Sequence, residues 1–293
     1  MGGNDIPASP DSQASRATIP IWSGRRNHVR FRRAFLVTDN RQEILNRFGR
    51  QADRFEQRGS SVANRDWVRW AGSLIDLRPD RTALDVAGGT GLLARSVAAG
   101  LKNAFVLDLT PAMLEQGRAA AAAENAQNIT FLRGDAKRLP FRDASLDIVM
   151  TRFSLHHIPD PQAVIVEMKR VSAAGGQIAV TDLISSDDPA DAAEHNRLER
   201  LRDPSHVRCL TRQELERLLT ASGLTLVRSD AREQELALDD WLALTQPSAD
   251  ITRQIGDRLE KELHGGPPTG MRPFTRDGRL MFIQTALAIL AKR

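Results

Sequence analysis

The chain has 293 residues, of which 41% are hydrophobic and 27% charged. That suffices for a sizeable core, in one large α/β domain or two smaller ones, and argues against global disorder. A single cysteine, Cys209, excludes an intrachain disulfide, a zinc ribbon and an iron–sulfur cluster held by several cysteines.

Tyrosine is absent, so no phenol can serve as base or anchor. The most apolar stretch, 280–291, is too short for a membrane span and is interrupted by Gln284 and Thr285. Residues 1–10 carry no apolar signal-peptide core, and a reducing cytoplasm is the expected location. The formal net charge is +4, and residues 1–40 supply most of it through Arg16, Arg25, Arg26, Arg30, Arg32 and Arg33. The rest is near neutral, so no strong phosphate footprint exists and no nucleic-acid partner is expected. Turn-rich composition without periodicity predicts a flexible basic extension over 1–40.

Ile44, Leu45, Phe48, Ala52 and Phe55 fall on one face of a helix predicted over 41–58. Trp67, Trp70, Ala71 and Leu74 stripe a second helix over 64–77, ended by Pro79. Together they form an N-terminal helical cap over 41–80. From residue 82 onward, strand and helix patterns alternate. Strands are predicted at 82–87, 104–109, 129–132, 146–150 and 177–181, with helices at 91–99, from Thr110-Pro111, and from Asp160-Pro161 to Val171. Thr211 to Glu214 reads as a capping box opening a helix that Gly223 stops. Two late strands follow at 224–229 and 280–290. The pattern is that of a Rossmann-like α/β fold: a doubly wound, mostly parallel sheet of seven strands covered by helices on both faces. The main domain is expected over 81–293, with a substrate-pocket segment at about 185–210 and an insertion at about 237–278.

Ligands of such sheets lie outside the carboxyl ends of the strands, where the strand order reverses. The first strand runs into Leu84-Asp85-Val86-Ala87-Gly88-Gly89-Thr90-Gly91. Glycines there let the backbone turn sharply and let a ligand approach without a Cβ in the way. Gly89-x-Gly91-x-x-Ala94 also fits the dinucleotide fingerprint, with Asp108 near the ribose position, so a nicotinamide-dependent oxidoreductase is an alternative.

The loop resembles that of the class I S-adenosylmethionine-dependent methyltransferases, with Asp85 as its acid, Ala87 at the first glycine position, and Gly89 and Gly91 at the others. The variant occurs in the type 11, ubiquinone/menaquinone-methyltransferase-like group. Later segments extend the likeness: Val106 to Leu114 after the second strand, Gly134-Asp135-Ala136 after the third, and Thr151 to Pro161 after the fourth. The resemblance covers about residues 42–293. It implies an antiparallel last strand and S-adenosyl-L-methionine as cofactor.

It also implies the cofactor contacts. Asp85, Ala87, Gly88, Gly89 and Gly91 would form the loop. Asp108 and Leu109 would meet the ribose, Asp135 and Ala136 the adenine, and Met113 would pad the adenosine. Arg152 would position the methionine part through its backbone.

Methyl transfer from a sulfonium is an in-line displacement, so the protein mostly supplies orientation, and a base is needed only for a protonated nucleophile. His156 and His157 are the base candidates, with His156 preferred, because imidazole titrates near neutrality. Phe55, His195, Arg202 and His206 are candidates for the substrate wall. No metal ligand set is evident. The expected partner is a small-molecule acceptor. The histidine pair replaces the arginine-asparagine step of the quinone-methylating relatives, which argues against a quinone. A protein of this fold that binds the cofactor without transferring methyl is the second reading. Oligomeric state is not legible.

Overall fold

The computed structural model describes residues 40–56 and 62–293. The predicted basic extension lies outside the described residues except for Asn40, and so does residue 58, the predicted end of the first helix.

The cap helices are shorter than their apolar stripes. α1 (Arg41–Gln51) tightens into a 3-10 turn at Ala52–Arg54, where the Phe55 N–H reaches the Ala52 carbonyl. α2 (Arg65–Gly72) starts on Asn64, whose side chain accepts from the Asp66 and Trp67 N–H groups. It buries Trp67, Trp70 and Ala71 as the stripe predicts but stops before residue 77. A tertiary contact ends it: Gln177 accepts from Asp76 N–H at 2.8 Å and donates to Asp76 C=O at 2.9 Å, so those backbone groups are taken from the helix.

Eight strands follow: β1 (Thr82–Val86), β2 (Asn103–Asp108), β3 (Ile129–Arg133), β4 (Leu146–Arg152), β5 (Ser172–Leu183), β6 (Thr225–Ala237), β7 (Phe274–Arg276) and β8 (Arg279–Lys292). Their order is β3-β2-β1-β4-β5-β8-β6, with β7 paired only to β8. β1 to β5 are parallel, and β8 runs antiparallel between β5 and β6. The eighth strand, β7, is a three-residue arm that carries no periodicity of its own. β6 is 13 residues long because its register with β8 extends to Ala237. Its second half is a charged, largely exposed edge, so the apolar signal fades after residue 229.

α3 (Leu92–Val97), α4 (Pro111–Ala123), α5 (Pro161–Val171), α6 (Pro189–Arg202) and α7 (Arg212–Ala221) connect the strands. α7 opens with the predicted capping box. Alternate strand residues feed two cores. Ala83, Val106, Ile148 and Met150 pack against the α2 and α3 side. Leu84, Val86, Val149 and Ile178 pack against the α5 and α7 side. α8 (Leu238–Thr245) and α9 (Ala249–Leu263) lie between β6 and β7. A third core of Trp241, Ile255, Leu259, Met271 and Phe282 ties them to Leu198 of α6. The sheet order reverses between β1 and β4, which opens a crevice above their carboxyl ends. Among the described residues, no helix is long and apolar enough to cross a membrane.

Candidate active site

A cavity of ≈ 1550 Å³, counted out to its mouth, occupies that crevice. Its floor comes from the ends of β1, β2 and β4. Ile44, Phe48 and Phe55 close one side, and Glu199, Arg202, His206 and Leu244 another.

The glycine loop alternates left-handed residues: Ala87 at φ +51°, Gly89 at φ +57° and Gly91 at φ +72°. Ala87 carries its methyl in a conformation that costs an L-residue about 1 kcal/mol, so the replaced glycine is tolerated with strain. Ala87, Gly88 and Gly89 line the cavity. Gly91 does not. It faces β2 instead, where an added Cβ would stand 2.7 Å from Val106 Cγ2. The missing Cβ leaves room for the start of α3 to pack closely on β2.

Asp108, buried at the end of β2, braces the loop. Its Oδ2 accepts from Gly89 N–H and its Oδ1 from Thr110 N–H, both at 2.8 Å. Burial raises its pKa above the ordinary carboxylate value, against the opposing pull of these bonds. Leu109, Asp135 and Ala136 line the same end. Asp135 accepts from Lys137 N–H at 2.9 Å and lies 3.6 Å from Arg41 of the cap. Met113, expected to pad a ligand, is 1% exposed in the core and off the cavity wall, because α4 turns that face onto the sheet.

Asp85 and Arg152 meet at the ends of β1 and β4. Burial pushes the Asp85 carboxyl up to about 7, partly offset by the Ala94 N–H and by Arg152. Burial lowers Arg152 to about 10 despite Asp85. Arg152 donates to Val62 C=O at 2.9 Å. Asp85 Oδ1 and Arg152 Nη1 make no hydrogen bond among the described residues, and both side chains line the cavity. A carboxyl and a guanidinium side by side at this end of the cavity suit a ligand that carries an ammonium and a carboxylate. The Arg152 guanidinium also sits 4.7 Å over the Phe153 ring.

Beyond β4, Phe153 adopts φ +53°, and its N–H donates to Thr181 C=O at 2.8 Å. A bulky side chain there is strained, and its ring packs 5.5 Å from Trp67. The reversal leads into the 3-10 turn Leu155–His157.

His156 Nδ1 donates to Asp182 Oδ1, and Asp182 Oδ2 accepts from the N–H groups of Leu155 and His156. Burial opposes protonation of His156, but the charge and hydrogen bond of Asp182 outweigh it and raise its basicity. His157 behaves oppositely: burial and the neighbouring His156 push it down to about 4. Ser205 Oγ donates to Asp203 at 2.7 Å, so it accepts from His157 Nδ1 at 3.1 Å. Both rings line the cavity, 4.2 Å apart.

Arg202 and His206 also line the cavity, and His206 Nε2 donates to Asn196 Oδ1 at 2.9 Å. His195 does not reach it; on α6 its ring turns toward Glu199, 3.7 Å away, beneath the wall. Sequence reasoning missed Asp182 and Asn40, and it covered Phe153, Glu199, Asp203 and Ser205 only within the segments 151–161 and 185–210 without singling them out. Asp182 carried a signal, as the first charge to end the apolar run of β5. Its pairing with His156 depends on β4 and β5 being neighbours.

An acid-topped glycine loop on β1, a second acid ending β2 and an antiparallel strand beside β5 define a class I methyltransferase fold. Residues 84–180 match the family model described as methyltransferase domain. The match runs from β1 into β5. The uncharacterized methyltransferase YcgJ of Bacillus subtilis is 29% identical over 180 residues, 61% of this chain and 71% of that protein. Its crystal structure superposes with a TM-score of 0.72 at 25% identity, over 77% of this chain and 97% of that one.

A ubiquinone/menaquinone biosynthesis C-methyltransferase of Ruegeria sp. is 38% identical over 39% of this chain and 48% of its own length. The match thus spans about half of that enzyme. The [4+2]-cyclase SpnF shares the fold, with a TM-score of 0.56 at 18% identity over 80% of this chain and 82% of that one. The family's cofactor is S-adenosylmethionine, and the residues fit it. Asp85 and Arg152 would hold its amino-acid end, Asp108 its ribose, and Asp135 and Ala136 its adenine.

Proposed function

We propose that this protein transfers the methyl group of S-adenosylmethionine to a protonated nucleophile of a small molecule, with His156 as the base. The His156–Asp182 pair carries this reading. A carboxylate on Nδ1 fixes the tautomer in which Nε2 bears the lone pair, and it stabilises the imidazolium that forms. The cofactor supplies an electrophilic methyl carbon when bound. The protein orients the acceptor over the strand ends, excludes water with α1, and removes the acceptor's proton at His156 Nε2. His157, held neutral, offers Nε2 as a hydrogen-bond acceptor that orients the same group. Separated basicities in adjacent rings divide the base from the positioning group.

Calorimetric titration with S-adenosylhomocysteine, with NADH in parallel, tests the cofactor. Tight binding of the first alone is expected. Binding of NADH alone would sink the proposal in favour of the oxidoreductase. The acceptor test is label transfer from methyl-labelled cofactor across a small-molecule panel. A cofactor complex inert with every acceptor would leave the non-transferring reading.

A further inference from the structure

α1 is tied to both halves of the crevice. At its start Asn40 holds the histidine turn, and Phe48 packs edge-on against His157 with centroids 4.9 Å apart. Just beyond its end the chain is fixed to the glycine-loop side. Gln116 of α4 donates to Asp53 at 2.9 Å, and Arg95 of α3 pairs with Glu56. Phe55 stands against the loop itself, since a Cβ added at Gly89 would lie 3.8 Å from Phe55 Cε1. α3 and α4 follow β1 and β2, the strands that lead into the glycine loop and end in Asp108. The last turn of α1 therefore lies over the half of the cavity that would hold the cofactor.

Ile44, Phe48, Gln51 and Phe55, spaced by four, three and four residues, fall on one face of α1 and the turn after it, and all line the cavity. Gln51 puts a carboxamide into this apolar stripe. The residue is 4% exposed. Its side chain makes no hydrogen bond among the described residues, and neither amide atom is enclosed. A buried carboxamide without a partner is costly, because it has given up water and gained nothing in return. A leucine or methionine would continue the stripe without that cost. The unmet donor and acceptor are instead kept on the cavity wall, where a polar ligand can satisfy them. Nε2 donates to a carboxylate or hydroxyl, and Oε1 accepts from an ammonium or hydroxyl. S-adenosylmethionine presents all three. The neutral amide adds no charge to a site that already holds Asp85, Asp108 and Arg152.

We infer that Gln51 is a cofactor-binding residue, whose carboxamide hydrogen-bonds S-adenosylmethionine from the cap side. The inference rests on S-adenosylmethionine being the ligand of this cavity, as in the methyl-transfer reading. It puts a cofactor contact in the cap, apart from the strand ends that carry Asp85, Asp108, Asp135 and Arg152. The bound cofactor then adds a tie between α1 and the sheet to those already made through Asn40, Asp53 and Glu56.

The test is Gln51→Met in the full chain, which keeps side-chain length and helix propensity and removes both polar atoms. Calorimetry with S-adenosylhomocysteine should give an affinity about tenfold weaker than wild type, the worth of one or two hydrogen bonds. Amide exchange in α1 should slow when wild type binds S-adenosylhomocysteine, and should slow less in the variant. Without ligand the variant should melt at or above the wild-type temperature, because an unpartnered buried amide gives way to an apolar group. A glutamine that only supports the fold, or one that meets the acceptor, would leave affinity for S-adenosylhomocysteine unchanged. Equal affinity in the two proteins would therefore overturn the inference, as would a variant that melts lower than wild type or does not fold. Wild type failing to bind S-adenosylhomocysteine would instead strike the methyl-transfer reading.

Discussion

Asp182 Oδ1 accepts from His156 Nδ1, across 26 residues of chain, at the carboxyl ends of two neighbouring parallel strands. The second oxygen accepts from Leu155 N–H at 2.7 Å and from His156 N–H at 3.3 Å. One carboxylate therefore sets both the turn that carries the histidine and the direction of its ring. Replacing Asp182 by Asn keeps the shape and removes the charge. Turnover should fall by about 10²–10⁴, the usual contribution of a positioned base, with affinity for S-adenosylhomocysteine unchanged. His156→Gln should match it. Steady-state kinetics alongside calorimetry reads both.

The pH profile follows from the same pair. His156 acts as base only when neutral, and Asp182 raises its basicity above the ordinary value of 6.5. Turnover should therefore rise with pH through a limb lying above 6.5. In Asp182→Asn that limb should move to lower pH while the plateau drops. A limb that stays in place would show that another group titrates.

Asp85 makes a stability prediction. Burial holds its carboxyl at about 7, against an ordinary value of 3.8. Between those values the folded protein keeps a proton that the unfolded chain releases. Stability should fall as pH rises through this window. Asp85→Asn should flatten the fall, melting a few degrees above wild type at pH 8, and should weaken S-adenosylhomocysteine binding by about tenfold or more. Thermal melts from pH 5 to 9 test the slope.

Asn40 fastens the cap. Its Nδ2 donates to His157 C=O at 3.0 Å and to Ser205 C=O at 2.7 Å, so the start of α1 is tied to the turn that bears both histidines. Each bond is worth about 1 kcal/mol net. Asn40→Ala should lower kcat/KM by about tenfold and speed amide exchange in α1 without affecting β1 to β5. Deletion of residues 1–39 should leave cofactor affinity intact, whereas a deletion that takes Asn40 should not.

Ala87 separates strain from chemistry. Ala87→Gly relieves a left-handed alanine at φ +51° but frees the unfolded chain. The two effects offset each other, so melting temperature and S-adenosylhomocysteine affinity should both stay close to wild type. A large loss of affinity would give the Ala87 methyl a direct role in the ligand wall.

Some features were legible in the sequence because they are local. Strand and helix periods need only neighbouring residues, so the five parallel strands, the capping box at Thr211 and the glycine loop after β1 could be read directly. Asp108 was legible for the same reason, since it ends the apolar run of β2, whereas Asp85, inside β1, was picked out by the likeness of the glycine loop. Only the tertiary structure decided what depends on strand order and on faces meeting. It paired His156 with Asp182, turned Met113 and His195 away from the cavity, and placed Gly91 against Val106. It also ended α2 through Gln177 and extended β6 along β8, since a polar edge strand takes its pairing from a partner and not from its own hydrophobicity.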